Sequence, residues 1–91
     1  MSILDYCLLL KTLLEKSGEE HWANVFDKMA FNLQENEINR EMINDLLKMY
    51  GGMGSFNDLI LYLRGVPEVE QNNYLEYLRT GLYKELIKYL S

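Results

Sequence analysis

The chain holds one cysteine, Cys7, and one histidine, His21, the two residue types that together could make a thiolate nucleophile and its base. Their surroundings argue against it. Cys7 lies beside Leu8, Leu9 and Leu10, and a thiol among apolar side chains keeps its proton and packs as a small hydrophobe. A single histidine and a single cysteine cannot supply the four ligands of a zinc site either. The expectation is no catalytic residue, no metal and no cofactor: a chain that is not an enzyme.

The segment Gly51-Gly52-Met53-Gly54-Ser55 has the glycine density of a phosphate-cradling loop. It lacks the lysine that reaches the phosphates, and Ser55 is followed by Phe56 and Asn57. A helical pattern precedes it, where a dinucleotide fingerprint would need a strand. Its expected role is a glycine helix stop followed by a new helix cap.

Two groups of side chains are candidates for binding a protein partner, the alternatives being rings that pack at the core margin and an ordinary solvated face. Seven tyrosines occur in 91 residues, and Tyr74, Tyr77, Tyr83 and Tyr89 all fall on the last helical pattern, whose leucines already claim a buried face. Tyrosine anchors interfaces because its ring buries area at low entropy cost while its hydroxyl stays paired. Glu37, Glu41 and Asp45 recur every fourth residue, which would put them on one face of a third helix with Glu35 near its start. Like charges so spaced oppose helix formation, and only Arg40 and Lys48 stand near enough to offset them.

The elements that must carry these groups are read from apolar spacing, which is helical almost throughout. Ser2 caps a first helix to Lys16, stopped by Gly18. Glu19 and Glu20 start a second, with Trp22, Val25, Phe26, Met29, Ala30 and Leu33 facing the core. Asn36 caps a third that buries Ile38, Met42, Ile43, Leu46, Leu47 and Tyr50 and ends at Gly51 and Gly52. A short fourth opens at Ser55, with Asp58 completing a variant capping box, and buries Phe56, Leu59, Ile60 and Leu63. Gly65, Val66 and Pro67 break it, and Pro67 fits the first turn of a last helix with Leu75, Leu78, Leu82, Leu86 and Leu90 inward. Gly81 weakens that helix, as it would where another backbone crosses close by. The expected fold is all-α: one domain, 1–91, a compact bundle of about five helices with short connections.

Composition narrows the partner. The net charge is -5, and residues 1–45 carry nine acids against four bases, whereas 46–91 carry five of each. An acidic half repels phosphate backbones and anionic membranes, so neither nucleic acid nor a membrane is expected, and a basic protein is. No stretch reaches the length of a membrane span. The apolar start is interrupted by Asp5 and Lys11 and lacks a basic n-region, so it is expected to be the first helix and not a signal peptide. One cysteine and no sign of export point to a cytoplasmic location.

The run Met49-Tyr50-Gly51-Gly52-Met53-Gly54-Ser55-Phe56-Asn57-Asp58-Leu59-Ile60 resembles a glycine-methionine-glycine segment of small uncharacterised bacterial helical proteins, and His21-Trp22-Ala23-Asn24 is similar to the tryptophan helix they carry. The likeness covers about residues 15–62. Some proteins of this size and acidity are encoded beside polymorphic or contact-dependent growth inhibition toxins. The resemblance therefore implies a cytoplasmic immunity protein that neutralises a cognate toxin domain, expected to be a basic nuclease whose active site or groove it occludes. The alternative is a regulatory adaptor or homodimeric helical protein without a toxin partner.

Overall fold

Ser2 opens the first helix, α1 (Ile3–Lys16), with a reciprocal capping box. Its hydroxyl accepts from the Asp5 N–H at 3.0 Å, and its own N–H donates to the Asp5 carboxylate at 3.1 Å, which holds that carboxyl below its ordinary value. The computed structural model describes residues 1–51 and 54–91. Within them the chain is predominantly α-helical: α1 is followed by α2 (Glu20–Glu35), α3 (Arg40–Lys48), a 3-10 turn (Phe56–Asp58), the strands β1 (Tyr62–Leu63) and β2 (Val66–Pro67), and α4 (Val69–Leu90).

α1 buries Ile3, Tyr6, Cys7, Leu10, Leu13 and Leu14, a stripe at three-to-four spacing that packs against both α2 and α4. α2 meets it with Ala23, Phe26 and Ala30, and the two alanines let the helix axes approach closely. α4 supplies Leu75, Leu78, Leu82 and Leu86, all fully buried, and α3 packs across it. A single core results, within an elongated molecule of 40 × 23 × 23 Å.

Three expectations from the sequence are corrected here. The third helix begins later, at Arg40, because Asn39 and not Asn36 caps it: the Asn39 side chain accepts from the Met42 N–H at 3.0 Å. Ile38 is therefore outside the helix and exposed. The fourth helix does not form. Phe56–Asp58 make one 3-10 turn, Leu59 is extended, and Ile60 and Leu63 point outward while Leu61 is buried instead. Asp58 does reach back, but to the Gly54 N–H at 3.0 Å, so the capping box around Ser55 is absent. Finally, the expected break at Gly65–Pro67 is a hairpin, with Leu63 opposite Val66 and Tyr62 opposite Pro67. Arg64 and Gly65 both take positive φ, 53° and 80°, the mirror-image turn whose twist suits a two-residue hairpin. Pro67 thus ends β2, and Glu68 caps α4 by accepting from the Gln71 N–H. Gly52 and Met53 lie outside the described residues; α3 itself ends earlier than expected, at Lys48 with Met49 as its C-cap, so Tyr50 falls outside the helix and Gly51 lies in the turn that follows, without a positive φ.

Gly81 is crowded by a ring and not by a backbone. A Cβ there would stand 2.5 Å from the Tyr6 hydroxyl and 2.6 Å from Cε1 and Cζ of its ring. Gly81→Ala should therefore lower the melting temperature, although alanine in an open helix is the better residue by about 1 kcal/mol. In a Tyr6→Ala background the same change should raise it. Thermal unfolding of the four proteins reads the sign reversal, and a stabilising Gly81→Ala in the parent would refute the close packing.

Candidate functional site

Arg79 stands on the leucine face of α4, is 8% exposed and is the one buried charged side chain among the described residues. Its Nη1 donates to the carbonyls of Phe56 (2.9 Å) and Leu59 (3.1 Å), and its Nη2 to the Glu76 carboxylate at 2.6 Å. The guanidinium carbon lies 5.8 Å from the centroid of the Phe56 ring. In return, the Tyr50 hydroxyl donates to the Arg79 carbonyl at 2.7 Å, and burial pushes that phenol well above its ordinary value. Phe56 is the hub of an aromatic cluster, with Phe26, Trp22 and Tyr50 at 4.9, 5.2 and 6.0 Å and Tyr83 beyond Tyr50 at 5.2 Å. A cavity of about 250 Å³ opens beside this node, lined by Tyr50, Asn57, Arg79, Thr80 and Tyr83.

Asn72 performs a second clamp one helical stretch earlier. Its side chain accepts from the Leu61 N–H and donates to the Leu61 carbonyl, both at 2.8 Å, so an amide takes the place of a neighbouring strand. Arg79 and Asn72 escaped the sequence reading, yet Arg79 sits four residues after Leu75 and three before Leu82, the spacing of the buried leucines. A charged residue at a core register was the signal available.

The candidate partner-binding residues are exposed but differently arranged from expectation. Tyr74, Tyr77, Tyr83 and Tyr89 expose 41, 62, 43 and 42% of their surface. At 3.6 residues per turn they do not share a face. Tyr77 lines a groove with Tyr6, Glu76 and Lys84, Tyr83 lies on the opposite flank against Tyr50, and Tyr89 sits at the C-terminal end, where its hydroxyl donates to the Ile38 carbonyl at 3.3 Å. The acidic stripe is likewise not a helix stripe. Glu35 ends α2, Glu37 lies in the connection, and only Glu41 and Asp45 belong to α3. Much of the expected repulsion is thereby relieved: Glu41 falls in the first turn, where the helix dipole favours it, and Asp45 lies 3.7 Å from Lys48. All four carboxylates nevertheless stay exposed at one corner. Glu41 and Asp45 line a cavity of about 260 Å³ with Asn32, Asn36 and Asn39, and Glu35 and Glu37 flank Asn36 in the chain.

Cys7 is completely buried and its thiol is pushed up to about 12, the reverse of what a nucleophile needs, while His21 is exposed with its ring edge-on to Trp22. Among the described residues no group of three His, Cys, Asp or Glu side chains could hold a metal ion, and no helix is long and apolar enough to cross a membrane.

Fold and surface together define a small, mostly helical domain with a clamped loop in its middle and an acidic corner. The chain belongs to the family described as Domain of unknown function (DUF6966), which it matches over residues 15–79, from the end of α1 to Arg79 itself. No curated protein and no solved structure matches it.

The Arg79–Glu76 pair makes stability depend on acid. Arg79 holds the Glu76 carboxyl below its ordinary 4.5, chiefly through their hydrogen bond. The associated stability is fully present above that value and is lost as pH falls through the lowered one. Denaturation of Glu76→Gln should match that of the parent in strong acid and be easier at neutral pH. The gap should be modest, about 1 kcal/mol or less, because the Glu76 side chain is 63% exposed. A pH-independent gap would disprove the linkage.

Proposed function

We propose that this chain is an immunity-type protein that binds and neutralises a cognate toxin domain, a basic nuclease, by standing over its active site or substrate groove. The observation that carries the reading is the corner where α2, α3 and the end of α4 meet. Glu35, Glu37, Glu41 and Asp45 are exposed there, with Arg40 and Lys48 as the nearby cations, and the half-exposed Tyr89 ring is tied to the same corner through Ile38. An aromatic anchor beside a rim of carboxylates has the anatomy of an interface that selects a cationic partner. Carboxylates placed where a substrate's phosphates would lie both occupy the groove and draw the partner in. The cell compartment this implies is the cytoplasm.

The corner has room for these charges because they are spread over a helix end, a connection and a helix start, so neutralising them leaves the core untouched. The experiment co-expresses the chain with the toxin domain encoded directly ahead of its gene and follows cell survival, then measures association of the purified proteins across ionic strengths. Neutralising the corner in one variant (Glu35→Gln, Glu37→Gln, Glu41→Gln, Asp45→Asn) should slow association roughly ten- to a thousand-fold at low salt and flatten its salt dependence. Tyr89→Ala should instead raise the dissociation rate, costing roughly 1–3 kcal/mol of affinity. A gene neighbourhood without a toxin, or survival indifferent to the chain, overturns the proposal.

A further inference from the structure

The guanidinium of Arg79 is incompletely used. Its Nη1 serves the loop, with the carbonyls of Phe56 and Leu59 as acceptors. The other edge of a guanidinium carries Nη2–H and Nε–H side by side, the parallel pair that a carboxylate fills with its two oxygens. Here Glu76 fills half of it. One of its oxygens accepts from Nη2 at 2.6 Å and the other from the Thr80 hydroxyl at 3.2 Å, while the buried Nε has no hydrogen-bond partner among the described residues. A buried donor left unpaired is costly, and more so on a charged group.

Arg79 and Thr80 both line the cavity of about 250 Å³, together with Tyr50, Asn57 and Tyr83. Its volume lies just below the roughly 300–1,000 Å³ of sites for drug-sized ligands, so it suits a compact molecule. Its walls are aromatic. The rings of Tyr50 and Tyr83 meet edge-on at 5.2 Å, and Tyr50 is fixed by the bond from its hydroxyl to the Arg79 carbonyl. Asn57 and Tyr83, both exposed, form the rim. Flat apolar faces around a few polar groups are the makeup of a small-molecule site.

We propose that this cavity binds a small planar carboxylic acid in its ionised form, whose two oxygens take the Nε–Nη2 edge of Arg79 while its flat body lies against the tyrosine rings. Glu76 is the resident group that the ligand displaces. The Glu76 side chain is 63% exposed and holds Arg79 through one oxygen only, so it can swing into water, whereas Arg79 stays held by its two carbonyls. The exchange replaces one charge-assisted hydrogen bond by two and keeps a negative charge at the guanidinium. A neutral carbonyl brings no charge to replace that of Glu76, and a cation is repelled by Arg79. The chain's net charge of -5 opposes an anion at long range, which keeps the affinity low and lets it improve as salt screens that field.

The Arg79 Nε–H gives its own signal in a nitrogen–proton correlation spectrum, so the full chain can be titrated with benzoate as the probe and with benzamide and benzylamine as its neutral and cationic counterparts. Benzoate should shift that signal and the amide signals of Asn57, Thr80 and Tyr83 with a dissociation constant of roughly 1–10 mM. Benzamide should bind at least about tenfold more weakly and benzylamine should leave the signals in place. Glu76→Gln removes the competitor and should tighten benzoate at least about threefold. The variant neutralised at Glu35, Glu37, Glu41 and Asp45 should gain far less, which separates competition at the guanidinium from a general loss of negative charge. Tyr83→Ala should weaken benzoate while circular dichroism stays near the parent's, because that ring is half exposed. No shift of the Arg79 Nε–H signal at roughly 50 mM benzoate, benzamide binding as well as benzoate, or a Glu76→Gln affinity no higher than the parent's overturns the proposal.

Discussion

The guanidinium of Arg79 stands between two carbonyls, those of Phe56 and Leu59; the first also accepts from the Leu59 N–H at 3.2 Å, whereas among the described residues Arg79 alone donates to the second. Leaving the Leu59 carbonyl unpaired would cost about 1–3 kcal/mol, so a charged side chain reaching in from α4 supports the irregular course of residues 55–61. That contact has several dependents. It fixes Phe56 at the centre of the aromatic cluster, it places Leu61 where Asn72 can hold it, and it swings the chain out into the hairpin. The charge itself is balanced by Glu76, which remains largely exposed, so the pair sits at the margin of the core and escapes most of the desolvation penalty of a fully buried ion pair.

α4 is the ruler on which this arrangement is laid out. Its leucines face α1 along most of their length, and its two polar clamps, Asn72 and Arg79, lie seven residues apart, two turns, on the side that receives the connection after α3. The clamped end is neutral and apolar, and the far end is acidic with a tyrosine at its edge. Close packing along the middle, as between Tyr6 and Gly81, keeps the two ends in a fixed relation.

Much of the architecture was legible from residue order alone, where local and long-range preferences agree. α1, α2 and α4 each carry a long apolar stripe at helical period, and the Ser2 cap with Asp5 needs nothing from outside the first turn. The burial of Cys7 and the inward leucines of α4 follow from the same periodicity. The exposure of the four tyrosines on α4 also agrees with the leucines having claimed its core face, and the net acidity of the first half is plain from composition.

The segment from Asn36 to Pro67 is where tertiary structure decided. The spacing of Phe56, Leu59, Ile60 and Leu63 fits a helix, yet three or so turns of a short helix are marginal, and the carbonyls such a helix would use internally are taken by Arg79 instead. Asn36 and Asn39 are equally good caps by type, but α2 runs on to Glu35 and takes Asn36 as its own C-cap, so Asn39 caps α3, which moves Glu37 off the helix and turns an acidic stripe into a corner. The grouping of the tyrosines was similarly out of reach, since a shared helix says nothing of a shared face, and the neighbours of each ring come from elements distant in the chain. Residue order determined the helices and the sign of the charge, because those depend on contacts within a few turns. The tertiary structure decided which surfaces exist, because a surface is made where segments far apart in sequence come together.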